Sequence, residues 1–222
     1  MRAVILCGGR STRLGGVPKA GLTVGGETLL ARTVRAAQAA TWPDEECGQE
    51  RDVRIAVVGP TESIAAWLGP APDGVLAVQE DPPFAGPAAG IAAGLAALGG
   101  TDGHVLVLAC DMPRVGETAQ ALLAALDEAA PAENAPAEGG TGEGVMAVDR
   151  GRSQPLAAIY PLAPLREAVA AARAAHRLHN ASVFSLLARV NTKDCAVPQG
   201  STADIDTWDD ARLAGIAMPG EG

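Results

Sequence analysis

Between positions 6 and 20 the chain reads Leu6-Cys7-Gly8-Gly9-Arg10-Ser11-Thr12-Arg13-Leu14-Gly15-Gly16-Val17-Pro18-Lys19-Ala20. These residue types at this spacing can bind a phosphate chain. The glycines let the backbone approach a ligand, and main-chain amides from Cys7 to Arg13 can form an anion-binding nest. Arg13 and Lys19 add the fixed positive charge that suits a triphosphate. The spacing fits neither the G-x-x-x-x-G-K-[ST] phosphate loop nor the G-x-G-x-x-G dinucleotide fingerprint. The plainer alternative is a glycine-rich turn with two solvated cations. The charge order along the chain speaks against it. The first acid is Glu27, so Arg2, Arg10, Arg13 and Lys19 precede any compensating carboxylate in a chain that is acidic overall.

Asp111 is the second position with chemistry to offer. It follows the apolar run Val105-Leu106-Val107-Leu108. A carboxylate there emerges at the carboxyl edge of a sheet, where ligands of open α/β folds bind. As a hard oxygen ligand it suits Mg²⁺ bridging nucleotide phosphates, the alternative being a turn or cap residue before Pro113. Asp206 is either a second carboxylate facing the same metal or the N-cap of a last helix, and Asp204 stands beside it. Gly86, Pro87, Gly90 and Gly94 form a small-residue helix entry that also fits close helix–sheet packing.

These residues require a scaffold, and the hydrophobic pattern supplies one. Short apolar runs at Ala3–Cys7, Val53–Val58, Val75–Gln79, His104–Ala109 and Gly144–Val148 read as strands buried on both faces. Alanine- and leucine-rich segments alternate with them and read as helices: Thr28–Ala40, Glu62–Leu68, Gly90–Leu98, Thr118–Ala130, Pro164–His176, Ser182–Ala188 and Thr207–Gly215, the last capped at Asp206 or Thr207. The expectation is a three-layer α/β fold of Rossmann type around a central, mostly parallel sheet. The acid-rich stretch 42–52 and the Pro-, Gly- and Glu-rich stretch 131–142 read as flexible loops within one domain spanning 1–222.

The chain has 222 residues, with 17 Lys+Arg against 26 Asp+Glu, a net charge of −9 and 48% hydrophobic residues. The apolar fraction excludes intrinsic disorder, and the negative balance argues against nucleic-acid or anionic-membrane partners. No apolar stretch reaches the ~20 residues of a membrane span, and no signal-peptide pattern opens the sequence, so a cytoplasmic location is expected. Cys7, Cys47, Cys110 and Cys195 show no C-x-x-C spacing and read as reduced thiols. The tryptophans and histidines complete no catalytic or metal pattern.

The glycine-rich segment closely resembles the L-A-G-G-x-S-x-R-M-G-x-x-K signature of nucleotidyltransferases, and within them the molybdenum cofactor guanylyltransferase (MobA) family. The resemblance continues through Asp81-Pro82-Pro83-Phe84-Ala85-Gly86-Pro87-Ala88-Ala89-Gly90-Ile91, Cys110-Asp111-Met112-Pro113, Gln154-Pro155-Leu156 with Tyr160, and Asp204-Ile205-Asp206-Thr207-Trp208-Asp209-Asp210. Five blocks in the family's order cover almost the whole chain. The resemblance implies that Leu6, Cys7, Gly8, Gly9, Arg10, Ser11, Arg13, Lys19, Asp81, Gly86 and Asp111 bind the nucleotide. Asp81 and Gly86 would lie on its nucleoside side. Arg13, Lys19 and Asp111 would be catalytic, with Asp111 and Asp206 holding Mg²⁺.

The implied reaction is transfer of GMP from GTP to the terminal phosphate of molybdopterin, with a molybdoenzyme or cofactor carrier as a protein partner. An ionised phosphate is already a nucleophile, which agrees with the absence of any Ser/His/Asp or Cys/His set. Leu6-Cys7-Gly8-Gly9 keeps both glycines of the guanylyl pattern. Pro18 before Lys19 is a feature shared with cytidylyl and sugar nucleotidyltransferases. A cytidylyltransferase for the same pterin, a nucleotidyltransferase for another phosphorylated small molecule, and a non-catalytic nucleotide sensor are therefore the alternatives.

Overall fold

In a computed structural model the described residues are 1–9, 11–41, 53–129 and 142–216. Arg10, Cys47, the stretch 42–52 and all of 131–142 except Gly142 lie outside them. The element order is β1 (Arg2–Leu6), β2 (Thr23–Val24), β3 (Glu27–Thr28), α1 (Leu29–Thr41), β4 (Ile55–Val58), α2 (Thr61–Leu68), β5 (Val75–Val78), α3 (Pro87–Ala97), β6 (His104–Ala109), α4 (Val115–Ala129), β7 (Gly144–Asp149), β8 (Arg152–Pro161), α5 (Leu162–Ala174), α6 (Val183–Leu187), β9 (Thr192–Ala196) and α7 (Trp208–Leu213). All five strands expected from apolar runs form. The helices expected at 90–98 and 164–176 start earlier, with Pro87 and Pro164 in their first turns, where a missing N–H breaks no helical bond.

Seven strands form one sheet in the order β5-β4-β1-β6-β8-β7-β9. β8 runs antiparallel to both of its neighbours, and the remaining pairs are parallel. The chain goes outward from β1 through β4 to β5, then returns to place β6 on the other side of β1. The carboxyl ends of β1 and β6 therefore flank the point where the winding reverses, the crevice in which open α/β sheets bind ligands.

The core lies on both faces of this sheet. Ala3, Ile5 and Leu108 pack with Leu30, Val34, Ile64 and Leu122 on one face. Val4, Val58 and Val107 pack with Ile91, Leu95, Leu165 and Leu186 on the other. Alternate residues of β1 thus serve opposite layers, as expected for a strand covered on both sides. A third cluster joins Leu14, Leu22 and Leu29 to Ile205, Ala211 and Ile216. It is small, but it clamps the glycine-rich segment to the C-terminal one. No helix among the described residues is long and apolar enough to cross a membrane.

Three features were not expected from the sequence. The hairpin β2–β3 turns on Gly25 and Gly26, both at positive φ (60° and 83°). Strand β8 contains Pro155, which falls in an irregularity: Met146 pairs with Ala158 but Ala147 with Gln154. Pro155 is tolerated there because that position owes no ladder hydrogen bond. Strand β9 is a mostly exposed edge strand of polar residues and so lacks an apolar run.

Helix α3 sits unusually close to the sheet. A Cβ on Gly94 would lie 2.6 Å from Val4 Cγ1 and 3.1 Å from Val58 Cγ2, both in the packed core. Gly94→Val is therefore expected to lower the unfolding free energy in urea by about 1–3 kcal/mol, the cost of overpacking a core. An unchanged midpoint would contradict this contact.

Candidate active site

The glycine-rich segment leaves β1 with Cys7 tied back to β4: its amide donates to the Val58 carbonyl (2.9 Å) and its thiol to the same oxygen (3.3 Å). After Gly9 the backbone enters the left-handed region at Ser11 (φ 43°), Gly15 (φ 67°) and Gly16 (φ 86°). Two single-turn 3-10 helices, Thr12–Leu14 and Lys19–Gly21, present Arg13 and Lys19. Buried Leu14 and Ala20 fix these turns from below.

Lys19 is the centre of the arrangement. Its Nζ donates to Asp111 Oδ2 at 3.0 Å and to Asp206 Oδ1 at 2.5 Å. Arg13 Nη1 donates to the other oxygen of Asp206 at 2.9 Å. Asp111 follows β6 by two residues, and its carbonyl accepts the Ile205 amide (3.0 Å), which brings the C-terminal segment to the same edge. Thr207, not Asp206, is the N-cap of α7, in a reciprocal capping box with Asp210. The Asp206 carboxylate is thus spent on Lys19 and Arg13 and not on the helix.

The electrostatics follow from this geometry. Burial would lower the Lys19 ammonium, but the hydrogen bond to Asp206 and the charge of Asp111 outweigh it and hold the group above its usual value. Burial and the neighbouring Asp111 carboxylate push Asp204 up. Three carboxylates thus face two cations, an uncompensated negative excess built of hard oxygen donors. Arg13 is 71% exposed at its side chain, and an ion pair in that setting contributes about 0–1 kcal/mol, so exchanging Asp206 for a ligand phosphate costs little. The thiols offer no nucleophile: burial pushes Cys7 up to about 12 and Cys110 well above its usual value.

These groups line one open cleft of about 1390 Å³. Leu6, Cys7, Gly8, Gly9, Ser11, Arg13, Lys19, Gly86, Asp111 and Asp206 all border it. Asp81 does not. It is exposed, and its neighbour Glu80 faces the cleft in its place. Among the described residues no three His, Cys, Asp or Glu side chains already converge as a ready metal cluster. The hard oxygen donors nearest to forming one are Asp111, Asp206 and Asp204 beside Lys19.

The model of the MobA-like NTP transferase domain matches residues 3–192 of this chain. The chain belongs to that family. No curated protein matches it significantly in sequence. Solved structures share its fold. Molybdopterin-guanine dinucleotide biosynthesis protein A from Archaeoglobus fulgidus is 19% identical with a TM-score of 0.59, and the match covers 96% of either chain. The 2-C-methyl-D-erythritol 4-phosphate cytidylyltransferase of Francisella tularensis is 15% identical with a TM-score of 0.64, over 96% of this chain and 98% of that one. A nucleotidyl transferase from Methanothermobacter is 20% identical with a TM-score of 0.66, over 96% and 95%. This MobA-like domain is thus a nucleotidyltransferase by family, on a fold it shares with a molybdopterin-guanine dinucleotide biosynthesis protein and a cytidylyltransferase.

The cleft of this MobA-like domain also has walls the sequence did not single out: Glu80, Phe84, Trp67, Asn180 and Thr202. Glu80 had a usable signal, an acid two residues past the end of an apolar strand. Asn180 had none, being placed by its amide bond to the Ala85 carbonyl (2.7 Å) and by contact with Gly86, where a Cβ would stand 3.3 Å from Asn180 Cα.

The acidic segment is itself anchored by Asp149, at the end of β7. Its carboxylate, only 6% exposed as a residue, accepts from Gly200 N (2.9 Å), Thr202 Oγ1 (2.9 Å) and Thr202 N (3.4 Å). Thr118 donates to Ser201 in the same stretch (2.8 Å). Burial opposes ionisation of Asp149, but the Gly200 and Thr202 hydrogen bonds prevail and hold its carboxyl below the usual range. A carboxylate lowered on folding contributes stability above its unfolded value of about 4 and loses it as pH falls through the lower folded value. Asp149→Asn is expected to lower unfolding free energy at pH 7, the gap to wild type narrowing below about pH 4. A gap that stays constant from pH 7 to pH 3 would contradict this role.

Proposed function

We propose that this chain transfers GMP from GTP to the terminal phosphate of molybdenum-bound molybdopterin, releasing pyrophosphate, in molybdenum cofactor biosynthesis. The observation that carries the reading is Lys19 held between Asp111 and Asp206 beside the glycine-rich turn, in a cleft large enough for two substrates. A donor nucleotide lies with its phosphates along the glycine-rich turn, at the amides of Gly8, Gly9 and Ser11. Arg13 leaves Asp206 for the phosphate chain, and Lys19, more buried, neutralises charge on the transferring group. The pterin phosphate approaches from the β8 side, along Gln154, Pro155 and Leu156.

The acceptor phosphate is ionised at neutral pH, so the side chains need only position and neutralise; no group is asked to remove a proton. Asp111 and Asp206, with Asp204 adjacent, are the residues that would hold Mg²⁺, and a hard oxygen set with surplus negative charge fits that ion. When bound, Mg²⁺ supplies charge neutralisation for the departing pyrophosphate. A cytidylyl reading draws on one feature, Pro18 immediately before Lys19.

The test is release of pyrophosphate from GTP, CTP and ATP with molybdopterin as acceptor. The account expects GTP to be used best, chelation of Mg²⁺ to abolish turnover, and Lys19→Ala or Asp111→Ala to lower it by about 10² or more. Turnover of either variant within a few-fold of wild type would overturn the site. Preference for CTP would overturn the guanylyl assignment alone.

A further inference from the structure

Strand β8 parts from its neighbours at the edge of the cleft. It pairs with β6 from Pro161 to Ala157, with β7 at Ile159 and Ala158, and with β7 again from Gln154 to Arg152. Pro155 and Leu156, between these stretches, are in register with neither strand. Had β8 run straight, the β6 register, which ends with Leu108 opposite Ala157, would have continued until Gln154 stood opposite Asp111. The kink therefore takes β8 away from β6 where β6 delivers Asp111, and Gln154, Pro155 and Leu156 line the cleft there together with Asp111.

One buried side chain ties this kink. Tyr160 is fully buried, and its hydroxyl donates to the Pro155 carbonyl at 2.7 Å. Five residues of straight strand span about 16 Å, beyond the reach of a tyrosine side chain, so the bond forms only on a bent strand. The ring is held in the core cluster that contains Val105, Ala158 and Leu186, and Leu156 packs against the same cluster. Burial pushes the phenol above its usual value, which keeps it protonated as a donor. Taking that donor away leaves a part-buried carbonyl unsatisfied, which costs more than the bond itself contributes.

We propose that Tyr160 is the positioning residue of the acceptor half of the cleft: by holding the Pro155 carbonyl it keeps β8 bent away from Asp111, leaving room for the phosphate of the second substrate. The assignment rests on the transfer reaction proposed above and adds what keeps that side of the cleft open. Tyr160 touches no substrate, because it is fully buried, and acts through Gln154, Pro155 and Leu156. The nucleotide half is built on other segments, the glycine-rich turn and the two 3-10 turns that present Arg13 and Lys19, so the two substrates respond separately.

Wild type and Tyr160→Phe are compared in steady-state transfer, with molybdopterin varied at saturating GTP and Mg²⁺, and in calorimetric binding of GTP with Mg²⁺. Tyr160→Phe is expected to raise the acceptor KM about 10-fold, the scale of one lost buried hydrogen bond, with kcat within a few-fold of wild type and the GTP Kd unchanged. An unchanged acceptor KM in the folded variant overturns the assignment. So does a GTP Kd that rises in step with the KM, which would make Tyr160 a support of the whole fold. Should Tyr160→Phe not fold, Gln154→Ala, which trims the same wall outside the core, carries the same expectation, and an unchanged acceptor KM there overturns the assignment equally. A wild type that transfers no nucleotide to molybdopterin, seen before any variant is compared, overturns the pterin reading itself and this assignment with it.

Discussion

A single ammonium, that of Lys19, is shared between Asp111 and Asp206, residues 92 and 187 positions away along the chain. No short-range preference can create such a contact. It exists because β1 and β6 are paired neighbours at the winding reversal, and because the Leu14, Leu29 and Ile205 cluster presses the C-terminal segment onto the glycine-rich one. Removing a partner from a partly buried pair leaves a carboxylate or an ammonium unmatched. The cluster, the Asp149 anchor and the capping box of α7 are therefore best understood as a frame that keeps three distant segments in register.

On the proposed function, the same contact would let a chain of net charge −9 receive a polyanion. The site is not a basic patch. It is a cation set held ready by carboxylates, with one cation, Arg13, loosely held and exposed, and one, Lys19, more deeply placed. Such a site costs little to reorganise when phosphate oxygens replace carboxylate oxygens. It would leave those carboxylates free for a divalent ion, so that substrate and metal charges could balance together.

Much of this was legible in the sequence where local physics decides structure. The apolar runs of β1, β4, β5, β6 and β7 read as buried strands and form them, and Arg13 and Lys19, which precede Glu27, marked a segment that lines the cleft. What escaped was set by tertiary context. Strand β8 carries a proline that only a bulge accommodates, and β9 is a polar edge held by one neighbour. The choice between N-cap and ion-pair partner for Asp206 turned on Thr207 and Asp210 closing their own box. Glu80 and Asp81 are chemically alike and adjacent, and which one faces the cleft depends on how the chain turns after β5, a matter of backbone path and not of residue type.

The central claim is that the Lys19 cluster is a nucleoside triphosphate site completed by a divalent cation. The most direct measurement is the thermal shift of the intact protein with each nucleoside triphosphate, with and without Mg²⁺, because a ligand bound only by the native state raises stability by RT ln(1 + [L]/Kd). The account predicts the largest rise in melting temperature with GTP and Mg²⁺ together, a smaller one with GTP alone, and none with guanosine. No shift with any triphosphate, or the same shift with guanosine as with GTP, would contradict it.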